Sequence, residues 1–432
     1  MLSSTSQAHH DESVEPEASP QFINRDPEST YDVFRKDHAS TLFSLVGASQ
    51  PRDPHEVVVT EQSVELLRIY QSGIGKWMDV LDHSLSYQRQ VVRRSLSSSL
   101  LLHSVCALAA KQMSLASERF LWEPVSARYY GESLRLLIQD LNRPETSHEI
   151  VLAATILLCS YELLAAPGLD YERHLYGART LIQARGIGAE VTDLEQASFW
   201  VYARQDVAMA VMNECPTLIP THEWPAPLGH GFEEDTLGCQ ILWLLARVLE
   251  LRFGSMDNLQ DIRAQGLRNV SNEIDQWWDQ LPSTARGVCT GDFSEDGLLK
   301  VWFYVPSAAA ALLYYHMSKI LILEDLSGTR SIAEVNTRDS PSRRCDESAC
   351  LNELRSEARS IASICFSRSL QDSVLPVAVN PLFYAARHIP SLHLKARIWT
   401  LLDEIETRIG FHTKSRVVQL QGELEIDSNA RH

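Results

Sequence analysis

Leu100-Leu101-Leu102-His103-Ser104-Val105-Cys106-Ala107-Leu108-Ala109-Ala110 decides the fold class, because nine of its eleven residues are apolar and none is glycine or proline. Leu101, Val105, Leu108 and Ala109 recur at the spacing that lines one face of an α-helix, which predicts a helix within residues 91–117. Ala127, Tyr130, Leu134, Leu137 and Leu141 repeat the rule, predicting a second amphipathic helix with that face turned to the core.

Further out, Thr146-Ser147-His148-Glu149 and Thr192-Asp193-Leu194-Glu195 each place a carboxylate three residues after a hydroxyl, the pattern that satisfies free amides at a helix start. Gly186, Gly254 and Gly410 stand where helix ends are expected. More helices are expected at about 171–185, 193–214, 236–253, 258–280, 298–324, 348–368, 391–409 and 413–424. Alternating strand patterns are almost absent, Val57-Val58-Val59 being the one short β-branched cluster of note. The fold class is therefore all-α.

The organisation expected is one large multi-helix domain over residues 61–426, with a disordered C-terminus at 427–432. Residues 1–60 spread Pro16, Pro20, Pro27, Pro51 and Pro54 among carboxylates such as Glu12, Glu15 and Glu17, a composition that cannot bury enough surface to fold alone. They read as a disordered acidic tail. Cys215 to Asp235, with Pro216, Pro220, Pro225 and Pro227, reads as a surface loop, and 326–347, with Asp339-Ser340-Pro341, as a flexible insertion. No repeat of solenoid length is apparent.

Charge narrows the function. With 39 Lys and Arg against 56 Asp and Glu, the 432-residue chain carries a formal charge of −17, which opposes general binding to phosphate backbones and anionic lipid. Eight cysteines, at 106, 159, 215, 239, 289, 345, 350 and 365, are too scattered for a disulfide framework and suggest reduced thiols inside a cell. The N-terminus lacks the apolar stretch of a secretory signal. Val151–Gly168 and Val305–Leu323 approach membrane-span length but contain Glu162, His316 and Lys319, so both are expected to be buried core helices, with no membrane partner.

Catalytic and metal motifs do not assemble. Cys345 and Cys350 form one loosely spaced pair without the second pair a structural zinc needs. Ser72-Gly73-Ile74-Gly75-Lys76-Trp77 lacks the hydroxyl after the lysine and the preceding strand of a phosphate loop, and reads as a turn. No Gly-x-Ser-x-Gly elbow or His-Glu-x-x-His pair occurs, and Cys159 sits in an apolar helix as a small hydrophobe. The chain reads as a non-enzyme, with no residue assigned to catalysis, cofactor, metal or DNA. Tyr161 with Glu162, and Tyr202 through Asp206, are expected to be polar latches within the core. Arg204 and Asp206, two apart, must find separate partners. His174 is expected to be a packing histidine.

The order of several segments resembles the regulatory domain of fungal-specific transcription factors of the binuclear zinc cluster class. Residues 100–110 are similar to that family's early Ala-rich core helix, and Ala127-Arg128-Tyr129-Tyr130-Gly131 to the segment after it. Ala153 to Leu163 and His174-Leu175-Tyr176-Gly177-Ala178 resemble its central Tyr-Glu and His-x-x-Gly-Ala helices. Phe199-Trp200-Val201-Tyr202-Ala203-Arg204-Gln205-Asp206-Val207 is the closest segment; Asn380-Pro381-Leu382-Phe383 and Ile405 to Phe411 match the closing elements. The likeness covers about residues 60–425.

The resemblance implies a nuclear transcription regulator, controlling metabolic or secondary-metabolite genes, whose helical domain responds to effectors or partners. The partners it implies are the transcription machinery or other regulators, and a homodimer is compatible with it. It also implies a six-cysteine module that holds two zinc ions and reads DNA. No cysteine precedes Cys106, so that module, and zinc with it, is expected outside these residues. The alternatives are an accessory or corepressor protein acting through partners without DNA contact and, less favoured, a helical enzyme.

Overall fold

The computed structural model describes residues 57–429, apart from 117–118, 144, 166–168, 186–191, 226–233, 255–259 and 334–340. The chain opens with α1 (Glu61–Ser72), capped by Thr60, and the five-residue α2 (Ile74–Met78). A π-helical turn, Ser86–Val91, leads into α3 (Val92–Ser95). Then come α4 (Ser99–Ala116), α5 (Arg119–Leu141), α6 (His148–Ala165), α7 (Leu169–Arg185) and α8 (Asp193–Asn213). A 3-10 turn at Thr221–Glu223 precedes α9 (Glu234–Phe253) and α10 (Gln260–Gln280). The short hairpin β1 (Val288–Phe293) and β2 (Leu299–Trp302) leads to α11 (Pro306–Ala333) and α12 (Pro341–Cys365). After a 3-10 turn, Asp372–Val374, the chain closes with α13 (Leu375–His388), α14 (Leu392–Ile409) and α15 (Lys414–Asn429). The all-α expectation holds.

Two helices organise the packing. α4 is buried on nearly all sides, from Leu100 through Ala110, because its only large polar groups lie near its ends. It lies against α1, α3, α5, α6 and α14. α11, with Ala308 to Leu313 buried, fills the same role for α9, α10, α12 and α13. Contacts of α8 with α9 and α13, and of α14 with α4, join the two groups around one core. α4 is apolar and long enough to cross a membrane by length and composition, yet it is enclosed by protein. The described parts of the two stretches expected as buried helices, in α6 and α11, are likewise largely interior. α14 shows the simplest amphipathic logic: Leu394, Ile398, Leu402, Ile405 and Ile409 form its buried stripe, and Gly410 (φ 74°) ends it in the left-handed region.

Several expectations are corrected. The helix expected from 298 starts at Pro306, and 288–302 is instead an antiparallel hairpin with Val288 opposite Trp302. Glycines 287, 291 and 297, all at positive φ, supply the turns that a helix would not tolerate. Described residues 57–59 lie outside any strand. α5 buries Ser126, Tyr129, Ser133, Leu136, Leu137 and Asp140, so the inward face is displaced from the expected one and Leu141 is exposed. The Thr146–Glu149 box does not form. α6 starts after Ser147, whose carbonyl accepts the Val151 amide, and Glu149 turns instead to Arg94 and to the Thr192 hydroxyl. The segment after α8 is not a surface loop throughout, since Thr217, Ile219, Thr221 and Trp224 are buried. Of the expected insertion at 326–347, the ends are helical, through Ala333 and from Pro341; 334–340 lie outside the described residues. So do 1–56 of the expected acidic tail and Gly186, while α15 continues to Asn429.

Candidate functional site

α8 carries the side chains from which the site is built. Its start is the capping box read in the sequence: the Glu195 amide donates to the Thr192 hydroxyl at 3.2 Å, and the Thr192 amide to the Glu195 carboxylate at 3.0 Å. Two turns on, the helix enters the core, and Arg204 and Asp206 leave it in different directions. Arg204 donates to the carbonyls of Trp77 (2.9 Å) and Met78 (2.5 Å), the last carbonyls of α2, which have no helical donor of their own. Asp206 accepts from the amides of Leu218 (2.9 Å) and Ile219 (3.2 Å) and from the Tyr202 hydroxyl (3.1 Å). One helix thereby fastens the chain 127 residues before it and the strap that follows it. Separate partners for Arg204 and Asp206 are as the spacing required.

A second carboxylate extends this arrangement. Asp79, directly after α2, accepts from the amides of Tyr87 and Gln88, both at 2.8 Å, at the start of the π-helical turn. The Tyr87 hydroxyl meets Ser198 at 3.0 Å, tying that turn to α8. Burial disfavours both carboxylates and their amide donors offset it only in part: Asp79 is pushed up to about 7 and Asp206 to about 6. Burial also lowers Arg204 from its ordinary value.

Between α2, α6, α8, α11, α13 and the turn before α15 lies a cavity of about 100 Å³. Trp77, Met78, Leu164, Val211, Met317 and Phe411 form its apolar wall, and Arg204, Gln205 and Ser160 its polar side. The Gln205 side-chain amide donates to the Ser160 hydroxyl at 2.7 Å. Arg204 Nε is enclosed and has no hydrogen-bond partner among the described residues. A larger groove, about 930 Å³, lies between the hairpin and the ends of α12 and α14, but its Asp296 is already paired with Arg397 and His393.

The other polar residues singled out in the sequence form their own cluster at α5, α6 and α7. Tyr130 stacks on Tyr161 (4.2 Å between centroids), its hydroxyl donates to Glu162, and it lies 3.1 Å from His174 Nε2. Ser126 donates to the Tyr161 hydroxyl at 3.0 Å. These groups satisfy one another at helix contacts, as a latch does. Cys159 and Cys365 are buried with thiols held above their ordinary value, and burial pushes Cys106 up to about 12. Among the described residues no group of three His, Cys, Asp or Glu side chains could hold a metal ion. Sequence reasoning singled out Arg204, Asp206 and Tyr202 but not Asp79 or the cavity, whose walls come from segments that only the fold brings together.

A family model described as the fungal specific transcription factor domain matches residues 65–421. The transcription activator AMTR1 of Alternaria alternata is 22% identical over an alignment covering 86% of this chain and 64% of that protein. The chain therefore spans somewhat less than two thirds of this relative's length. No solved structure matches it. The helical core gathered around α4 and α11, with α8 at their junction, lies within the matched span, and the chain belongs to the fungal-specific transcription factor domain family.

Proposed function

We propose that the chain works in transcription regulation in the nucleus, on metabolic or secondary-metabolite genes, with its helical domain as the part that senses an effector. Family membership and the relative described as a transcription activator support the first half of this reading. The observation that carries the second is the cavity at Arg204, where five helices and a turn from both ends of the domain converge on one small apolar space beside a guanidinium whose buried Nε has no partner among the described residues. The space is below the size of drug-binding pockets, and smaller than the engineered 150 Å³ cavity that holds benzene, so the fitting occupant is a short apolar group bearing a hydrogen-bond acceptor. Such a ligand shifts the domain only by its differential affinity for two arrangements of these helices.

The test fuses the full chain to an unrelated DNA-binding module and reads a reporter gene, with the chain as it stands and with Ala208→Phe, which fills the cavity wall. The expected result is a reporter output that depends on the chain, and that cells grown on different carbon and nitrogen sources change for the unaltered chain alone. Output equal to that of the DNA-binding module by itself would end the regulatory reading. Equal responses from the filled and unfilled chains would end the effector reading.

A further inference from the structure

Arg204 is a charge without a counter-charge. Its hydrogen bonds go to the carbonyls of Trp77 and Met78, which are neutral, and its enclosed Nε has no partner among the described residues. A guanidinium keeps its proton, so burial cannot neutralise it as it does a carboxylate. The carboxylate whose field reaches it is Asp79, which is taken up by the amides of Tyr87 and Gln88. Raised to about 7, Asp79 is also only half ionised at neutral pH. Among the described residues that line the cavity, Arg204 carries the one charge and none is acidic. The rest of the wall is largely apolar, with Tyr314 and Asn380 adding an O–H and an N–H group.

We propose that the effector of this cavity is a short aliphatic monocarboxylate, bound as its anion, with the carboxylate against the Arg204 guanidinium and the chain against Trp77, Met317 and Phe411. This ligand class rests on the effector reading above and narrows it. The anion supplies the missing counter-charge, and in an apolar surround a charge-assisted bond to arginine is stronger than a neutral one. Volume sets the length. An engineered cavity of about 150 Å³ takes the carbons of benzene, so about 100 Å³ takes roughly four to six non-hydrogen atoms, the range from acetate to butyrate. Charge sets the selectivity. A neutral amide of the same shape leaves the guanidinium uncompensated, an amine adds a second cation, and a dicarboxylate brings a second anion for which the wall holds no cation.

Occupancy is coupled to one junction of the fold. Trp77 lines the cavity and also gives its carbonyl to Arg204, so an anion at Arg204 draws on the same guanidinium that holds the end of α2. Empty, the cavity leaves the whole of that charge to the α2 carbonyls. Filled, it divides the charge between them and the ligand, and the anion shifts α2 against α8 by as much as its affinity differs between the two arrangements.

Thermal unfolding of the full chain in a carboxylate-free buffer tests this, with sodium acetate, propionate, butyrate and hexanoate each compared with sodium chloride at equal ionic strength, and with butyramide and propylamine as isosteres. For a Kd of about 1 mM, about 20 mM of the best acid should raise the midpoint by roughly 2–3 °C. The rise should peak at propionate or butyrate and be at least about fivefold smaller for butyramide. Ala208→Phe, which fills the wall, should abolish it, and Val211→Ala, which enlarges the wall, should move the peak to a longer acid. An equal rise with butyramide overturns the inference and leaves the effector reading with a neutral ligand. No rise with any acid overturns it too, while the effector reading stands or falls on the reporter. A rise that neither variant alters places the acid elsewhere and overturns it as well; if Ala208→Phe fails to fold, Val211→Ala and butyramide decide.

Discussion

Replacing Asp206 by alanine should release the strap that follows α8. The carboxylate holds the amides of Leu218 and Ile219 and the Tyr202 hydroxyl, and Ile219 and Tyr202 are fully buried. Each buried donor left without an acceptor costs about 1–3 kcal/mol, so three donors would cost roughly 3–9 kcal/mol. Against this stands the cost of keeping the carboxylate itself buried and ionised at neutral pH. A folded-state pKa of about 6 against the ordinary 3.8 corresponds to roughly 3 kcal/mol. The net global loss at pH 7 is thus anywhere up to about 6 kcal/mol, and a local effect is expected throughout that range because all three donors serve one segment. Trp224 lies 5.6 Å from Phe199 and 6.1 Å from Trp200 between ring centroids, so detachment of the strap should change tryptophan emission before global unfolding. Urea unfolding gives the global term, and limited proteolysis mapped by mass spectrometry gives the local one, with new cuts expected between Cys215 and Trp224. Asp206→Asn, which retains one acceptor, should fall between the two. An alanine variant as stable as the unaltered chain, with a strap still resistant to protease, would refute the assignment of Asp206 as its anchor.

Arg204→Met should lower stability by about 2–4 kcal/mol, since it strips two charge-assisted bonds from the end of α2, and Lys at that position should recover less than half; thermal unfolding measures both. Asp79 is raised in the folded chain, so its contribution to stability is fully present below about pH 4 and is lost as pH rises through about 7. The cost of Asp79→Asn should therefore shrink by on the order of 4 kcal/mol between pH 4 and pH 7 in chemical unfolding, and a cost independent of pH would contradict the burial that raises it. Gly410→Ala should cost at least about 1–2 kcal/mol, from the left-handed backbone and from a Cβ placed 3.0 Å from that of Leu115, read as a lower urea midpoint.

Residues 99–116 announced a helix because an apolar run of that length without glycine or proline has few other uses. Its central place was hidden, since a helix buried all round has little amphipathic signal to read. The inward face of α5 was misjudged for a physical reason. Leu134 and Leu141 are more apolar than Ser126, Ser133 and Asp140, yet small residues permit close approach of neighbouring helices, and the serines find acceptors, Ser133 the Tyr129 carbonyl at 2.8 Å and Ser126 the Tyr161 hydroxyl at 3.0 Å. The hairpin at 288–302 was announced only by its three glycines, because its side chains do not alternate cleanly between buried and exposed. At the site, helical spacing was enough to say that Arg204 and Asp206 part company, but no local pattern could say that Arg204 reaches α2. The cavity was invisible for the same cause: Trp77 and Phe411 line one wall from opposite ends of the domain.

The meeting of α4 with the end of α14 bears on how the chain is made. Gln112 donates to the Ile409 carbonyl across 297 residues, and Trp77 meets Phe411 edge to face at 6.4 Å. At a synthesis rate of 5–20 residues per second, the first-made helices wait roughly 15–60 s on the ribosome before the residues that cover them emerge. Through that interval the apolar flank of α4 that α14 will close stands open to water. A chain that stops short of residue 392 never closes it, so damage near the C-terminus should surface as aggregation seeded from the N-terminal helices.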